Sequence, residues 1–329
     1  MSTVAAPALS VKNLTTEIRS RDQWHQAVRD VSFDIVQRET VALVGESGCG
    51  KSLTALSIMA LLPPGVGRIV GGRVSADGQL ISGIADAEME KIRGSRIGMV
   101  FQEPMTSLNP VLTVGFQIAE PLLYHRDLSR RAALARAVEL MDLVRIPSAA
   151  QRINDYPHQF SGGMRQRVMI AMALACAPKV LIADEPTTAL DVTIQAQVLA
   201  LLAELQRSAG LAVLLITHNL GVVASVADRV LVMYGGDVVE SAAMPDLFQR
   251  PTHPYTTALL AAMPRSDRSS ETIAPIPGQV PALAEMPVGC RFQSRCPLRE
   301  VRCVERPPLR PIDVAGTHHV RCWVTGGAR

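Results

Sequence analysis

One octapeptide constrains this chain more than any other feature: Gly45-Glu-Ser-Gly-Cys-Gly-Lys-Ser52 fits the pattern G-x-x-x-x-G-K-S. Glycines in such a loop let successive backbone N–H groups turn inward on phosphate oxygens at the start of a helix. Gly45, Glu46, Ser47, Gly48, Cys49 and Gly50 would form the cradle, Lys51 would reach the β and γ phosphates, and Ser52 would hold magnesium. At average residue frequencies the match arises by chance in roughly one chain in a hundred of this length. The flanks agree with it. Thr40-Val-Ala-Leu-Val44 reads as a buried β-branched strand, and Lys51 to Leu62 has a helical apolar spacing that stops at Pro63-Pro64-Gly65.

Strand, glycine turn and helix are followed by more of the same alternation. Lys179-Val-Leu-Ile-Ala183 and Leu211-Ala-Val-Leu-Leu-Ile216 read as central parallel strands, with a crossover helix from Val192 to Ser208 between them. The fold class expected is α/β, with helices on both faces of the sheet. Residues from about 87 to 177 carry helical patterns, notably Ser129 to Val144, and read as a mostly helical insertion. Leu9 to about Ile35 is strand-like. Beyond about Pro251 proline becomes frequent and periodicity weakens, so the remainder is expected to form a small irregular appendage.

At 329 residues and 48% hydrophobic composition the chain can bury a sizeable core. A net charge of +3 with no block of like charges gives no nucleic-acid arm, so no nucleic-acid partner is expected. The N-terminus lacks the basic start and apolar run of a secretory signal, which predicts a cytoplasmic location. Val168 to Ala183, the most apolar stretch, is interrupted by Pro178 and Lys179 and is shorter than the ~20 residues that span a bilayer. Any membrane role must therefore come through partners.

Two acids end one predicted strand. Asp184 and Glu185 follow Val180-Leu-Ile-Ala, where burying both would be costly without a cation or a reacting water. Asp184 suits a magnesium role, and Glu185 suits the base that polarises an attacking water.

Ser161-Gly-Gly-Met-Arg-Gln166, placed before a helical run, resembles the signature motif of ATP-binding cassette (ABC) proteins. Met164 stands where many members carry glutamine. The resemblance implies a P-loop nucleotide-binding domain with a RecA-like core over residues 1–258, a helical subdomain at about 95–176, and ATP with Mg2+ as ligands. It also implies that Ser161, Gly162 and Gly163 face the γ phosphate held by an opposite subunit. Other elements follow in the family's order. Gln102 in Val100-Phe-Gln-Glu-Pro104 resembles the loop that links nucleotide and magnesium to the membrane domains. Ala189-Leu-Asp191 resembles the loop crossing the dimer interface, and His218 resembles the switch histidine that contacts the γ phosphate. By the same resemblance Lys51, Glu185 and His218 are the catalytic set, and Ser52, Gln102 and Asp184 surround magnesium. Trp24, His25 and Ile18 are candidates for the adenine-stacking position.

Arg250-Pro-Thr-His-Pro-Tyr-Thr-Thr-Ala-Leu-Leu260 and Ile276-Pro-Gly-Gln-Val-Pro281 resemble the C-terminal extension of the oligopeptide, dipeptide and nickel importer branch, here residues 259–329. In that extension Cys290, Cys296, Cys303 and Cys322 read as C-x5-C-x6-C-x18-C. A metal could supply stability to a segment too irregular to bury much apolar surface. The spacing lacks the C-x2-C of most structural zinc sites, whereas four thiolates are an ordinary iron–sulfur ligand set. Zinc and unliganded or disulfide-bonded cysteines remain alternatives on the residues alone, while the branch resemblance implies a [4Fe-4S] cluster. Cys49 and Cys176 should lie outside this site.

Having one cassette, the chain must pair with a second ABC ATP-binding subunit, by branch habit a homologous heterodimer partner. The resemblance further implies two integral membrane permease subunits, an extracytoplasmic solute-binding protein, and a peripheral position on the cytoplasmic face of the membrane. A cassette ATPase working without a membrane partner usually has two cassettes or a long coiled-coil insertion, and this chain has neither.

Overall fold

The computed structural model describes residues 6–188, 190–263 and 276–325. In chain order its strands are β1 (Leu9–Ser20), β2 (Gln23–Ile35), β3 (Thr40–Val44), β4 (Gly67–Ala76), β5 (Gln79–Leu80), β6 (Ile97–Val100), β7 (Val180–Asp184), β8 (Ala212–Thr217), β9 (Arg229–Tyr234), β10 (Asp237–Ala243), β11 (Arg310–Pro311) and β12 (His319–Val320). The helices are α1 (Lys51–Ile58), α2 (Asp86–Ile92), α3 (Pro104–Ser107), α4 (Val114–His125), α5 (Arg130–Leu143), α6 (Ala149–Arg152), α7 (Gly162–Leu174), α8 (Val192–Ala209), α9 (Leu220–Val226), α10 (Met244–Gln249) and α11 (Pro254–Ala261). Two compact units share them, one of Met1–Ser10, Asp34–Thr40 and Val74–Ile216, the other of Val11–Phe33, Val41–Arg73 and Thr217–Arg329. Among the described residues no helix is long and apolar enough to cross a membrane.

In the first unit β6, β7 and β8 run parallel, with Ile97 opposite Val180 and Val180 opposite Ala212. Every residue of β7 and β8 is buried. That is why both read as unbroken apolar runs rather than alternating ones. Four helices of this unit begin where a side chain satisfies a free N–H group. Thr113 starts α4, Ser129 starts α5, Ser161 starts α7 and Asp191 starts α8, each accepting from a backbone N–H of the first turn. Gln117 on α4 is buried and fully satisfied: it accepts from the Asn109 N–H at 2.8 Å and donates to the Asn109 and Leu112 carbonyls at 3.0 Å each. This fixes the loop before α4 without apolar contact.

In the second unit β3 and β9 pair in parallel, β9 and β10 antiparallel, and β10 continues to β12 and then β11. A separate sheet has the order β2-β1-β4-β5, with Ser75 opposite Leu80. The core beneath β9 joins Val44, Val232 and Leu247 to three aromatic residues, Tyr234, Tyr255 and Phe292. The Tyr234 ring meets Tyr255 at 4.7 Å and Phe292 at 5.1 Å, both edge-on, the arrangement that ring quadrupoles favour.

Three expectations are corrected. Helix α1 stops at Ile58 instead of reaching Leu62, because Ala60 turns left-handed (φ 50) and the Leu61 N–H folds back to the Leu56 carbonyl at 2.8 Å. The stretch expected to be mostly helical contains β6, a member of the parallel sheet, which separates α2 from the helices that start with α3. The C-terminal region is not an appendage unable to bury itself. It adds β12 to β10, places Phe292 in the core, and docks on a buried carboxylate, Asp237. Asp237 receives both Arg29, which also donates to the Val288 and Gly289 carbonyls at 2.7 and 3.0 Å, and Arg306, at 2.8 Å. Residues 264–275 of that region lie outside the described residues.

One further detail completes the docking. His253 caps α11 by accepting from the Tyr255 N–H, and burial pushes its imidazole down to about 4, which keeps the acceptor nitrogen unprotonated. Cys176, expected within a helix, lies two residues past the end of α7 and is buried, its thiol raised by that burial. If the tail is held by the shared aromatic core, Phe292→Ala should cost about 3 kcal/mol. Urea unfolding is the measurement, and a loss below about 1 kcal/mol would show that Phe292 is not a core residue.

Candidate functional site

The phosphate loop belongs to the second unit, and its shape is set by what its backbone touches. Strand β3, buried along its whole length, delivers the chain to Gly45, where a Cβ would stand 2.2 Å from the Met233 carbonyl oxygen. Only glycine allows that approach. Further along, Gly50 is left-handed (φ 105) and starts α1, and the Gly236 N–H donates to the Cys49 carbonyl at 2.7 Å. Ser47 and Gly48 form the exposed crest, while Cys49 and Lys51 are buried. The Lys51 ammonium donates to the Gly45 and Glu46 carbonyls at 2.9 and 3.0 Å, so the cation is held at the loop by the loop's own oxygens. Ser52 opens the helix beside it. Burial raises the Cys49 thiol against the pull of Lys51, which makes it a small packing residue rather than a reactive thiolate.

His218 lies in the same unit, exposed and just past β8. The next residue fixes its approach: Asn219 caps α9 by accepting from the Gly221 and Val222 N–H groups, and its own N–H donates to Thr217 Oγ1 at 3.0 Å. Of the adenine candidates, Trp24 already has the Arg68 guanidinium over its ring at 4.2 Å.

The first unit carries the acids. Asp184 ends β7 and is buried. Glu185 is left-handed (φ 46), a conformation costing about 1–2 kcal/mol for a residue with a Cβ. Its N–H donates to the Ile216 carbonyl at 2.9 Å, which anchors the turn to β8. Its carboxylate accepts from Gln102 at 3.3 Å and from the Thr188 hydroxyl at 2.9 Å. Sequence reasoning named Gln102 and Glu185 separately; their contact, and the part of Thr188, follow from β6 and β7 lying side by side and could not be read from spacing.

A second group forms where α7 and α8 begin. Ser161 caps α7, and Asp191 caps α8 by accepting from the Ile194 N–H at 2.9 Å; both are exposed. A Cβ on Gly163 would lie 2.5 Å from Ile194 Cγ2, and one on Gly162 would reach Leu190 at 3.6 Å. Gly163 thus lets the two helix starts approach each other, while Gly162 has room for a small side chain. Ala189 lies outside the described residues.

All four C-terminal cysteines are free thiols. Burial, with smaller pressure from Cys303, Cys322 and Cys296, raises Cys290 to about 12, so the four share one neighbourhood. The Cys290 N–H also donates to the Cys303 carbonyl at 2.9 Å. As a donor set they suit a thiolate-bound metal. As folded, however, no group of three or more His, Cys, Asp or Glu among the described residues is disposed to hold a metal ion.

Residues 28–188 match the ABC transporter family, and residues 239–303 match the oligopeptide/dipeptide transporter C-terminal region. The dipeptide transport ATP-binding protein DppD of Bacillus subtilis is 51% identical over 316 residues, covering 96% of this chain and 94% of that protein. The oligopeptide transport ATP-binding protein AppD of the same organism is 50% identical over 316 residues, covering 96% of each. Among solved structures, the dimeric post-hydrolysis state of the ATP-binding cassette MJ0796 bound to ADP and Pi superposes with a TM-score of 0.64 at 30% identity, over 72% of this chain and 98% of that one. Identity of this extent over nearly the full length, on a chain with a built phosphate loop, shows that it belongs to the ABC transporter ATP-binding proteins, in the branch with the oligopeptide/dipeptide C-terminal region, and that it is an ATPase.

Proposed function

We propose that this chain is the ATP-hydrolysing subunit of an importer for peptides, coupling ATP binding and hydrolysis to uptake through partner permeases. The observation that carries the ATPase half is Glu185, held in a strained left-handed turn with its carboxylate oriented by Gln102 and Thr188. The names of DppD and AppD support the peptide half.

In this reading Gly45, Glu46, Ser47, Gly48, Cys49 and Gly50 wrap the phosphates, and Lys51 offsets charge that builds on the γ phosphoryl group during transfer. Glu185 accepts a proton from the attacking water, and His218 donates to the γ phosphate. Ser52, Gln102 and Asp184 would hold magnesium, which would supply further neutralisation of the phosphate charge. Ser161, Gly162 and Gly163, at the exposed start of α7, meet the nucleotide of an opposite subunit, with Asp191 at the same interface. Two cassettes then enclose two ATP molecules. The partner is a second ABC ATP-binding subunit, a homologous heterodimer partner, on two integral membrane permeases, with an extracytoplasmic solute-binding protein delivering the peptide. The chain sits peripherally on the cytoplasmic face of the membrane.

The region after residue 258 works as the C-terminal extension. Its Cys290, Cys296, Cys303 and Cys322 hold a [4Fe-4S] cluster, with zinc as the alternative. Four free thiols in one neighbourhood support this, and cluster ligation would require each to lose its proton. Such a group would supply cross-links between segments far apart in sequence.

Glu185→Gln should bind ATP normally yet lose about 10²–10⁴ in turnover, whereas Lys51→Ala should lose nucleotide affinity. Equilibrium binding of a fluorescent nucleotide alongside phosphate release separates the two; normal turnover by Glu185→Gln would remove Glu185 from its role. In cells lacking this chain, wild type should restore uptake of a labelled dipeptide or oligopeptide and Glu185→Gln should not. Restoration by neither would count against peptide import. Protein purified without oxygen should contain iron and acid-labile sulfide in equal amounts. A colourless, zinc-only protein would replace the cluster with zinc.

A further inference from the structure

Glu46 places a carboxylate at the second position of a loop built to hold phosphate. A negative charge there opposes the ligand, and its side chain is only 28% exposed, so water screens it incompletely. The second unit answers that charge from its far C-terminal end. Arg295 forms a two-pronged pair with Glu46, Nη1 to Oε2 at 2.7 Å and Nη2 to Oε1 at 3.1 Å, and its own side chain is 4% exposed. The fork has little freedom to move. Arg295 also donates to the carbonyls of Pro277 at 2.8 Å and Gly278 at 3.3 Å, and its guanidinium lies 5.7 Å from the centre of the Tyr234 ring. On the backbone side the Glu46 N–H donates to the Tyr255 hydroxyl at 2.8 Å, while the Glu46 carbonyl accepts from Lys51 at 3.0 Å. Both the side chain and the peptide of this loop residue are therefore fixed, its carboxylate and N–H by residues outside the loop.

We propose that Arg295 is a positioning residue of the ATP site: it cancels the Glu46 charge and holds that carboxylate against the C-terminal region, so that ATP affinity depends on a residue 249 positions downstream of the loop. The inference rests on the reading of residues 45–52 as the ATP site. It has a signature that packing alone would not give. If Arg295 acts by cancelling a charge, deleting the Glu46 charge should make Arg295 dispensable. If it acts only by filling space, the second substitution should not help.

The test measures ATP KM and kcat for wild type, Arg295→Met, Glu46→Gln, the double variant and Arg295→Lys, with a nucleotide-free melting curve for each. Arg295→Met should raise the ATP KM about tenfold with kcat within about twofold. Whatever ATP KM Glu46→Gln has by itself, adding Arg295→Met to it should change that KM by no more than about threefold, and Arg295→Lys should retain most of the affinity. An unchanged KM in Arg295→Met, or an Arg295→Met that raises KM as much on top of Glu46→Gln as in wild type, overturns the proposal. Should Arg295→Met melt well below wild type, Arg295→Gln and Glu46→Gln/Arg295→Gln take its place with the same expected split. Lys51→Ala separates the two levels. Lost ATP binding in Lys51→Ala beside an unaffected Arg295→Met rejects the inference and keeps the site; undisturbed binding in Lys51→Ala rejects the site itself.

Discussion

Everything in the second unit is arranged around one close approach, that of the Gly45 backbone to the Met233 carbonyl at the end of β9. A side chain at Gly45 would drive the loop off the strand. The hydrogen bond from Gly236 to Cys49 would be lost with it, and so would the start of α1 at Lys51. The same strand end carries Tyr234, whose ring meets Tyr255 and Phe292. The phosphate loop and the C-terminal region therefore share a single packing surface, joined by aromatic contacts rather than by a flexible linker.

Charge placement follows the same logic. The C-terminal region brings Arg291, Arg295 and Arg306 to one side of this surface, where they meet Glu46, Asp237 and the carbonyls of Gly235 and Gln26. Burial lowers Arg291 to about 10, yet its charge is answered by backbone oxygens and by nearby Asp237. Buried cations of this kind add little net stability, because desolvation offsets the attraction, but removing one partner leaves an uncompensated charge. They specify which loops meet. Cys290 and Cys296 flank Arg291 and Arg295 in sequence, so whatever the thiols hold is built into the segment that supports the phosphate loop.

The local elements were legible where a pattern is contiguous. The glycine loop, the apolar runs of β3, β7 and β8, and the capped helices α5 and α8 each declare themselves within a short window, because burial on both faces or a 3.6-residue period leaves a mark in adjacent residues. The misreadings share a cause. Helix α1 ends through the backbone conformation of Ala60, which no residue type announces, and β6 is too short for periodicity to separate it from the helices around it. The C-terminal region looked unable to bury itself because its partners are remote: Phe292 packs on Tyr234 and Arg295 pairs with Glu46 across 249 positions. Within the candidate site, the glycine loop, the paired acids and the resemblance to ABC proteins supplied the residue identities but not the Gln102–Glu185–Thr188 contacts, which exist only once the turn after β7 is folded.

The central claim is that the C-terminal region is a working part of the nucleotide site. Hydrogen–deuterium exchange of the full chain, carrying Glu185→Gln to stop turnover and compared with and without ATP and magnesium, tests it most directly. ATP should slow exchange in the loop at residues 45–52 and also in residues 276–296, which hold Glu46 through Arg295 and the Tyr234 ring. Slowed exchange confined to the loop and its following helix, with residues 276–296 unchanged, would contradict the account.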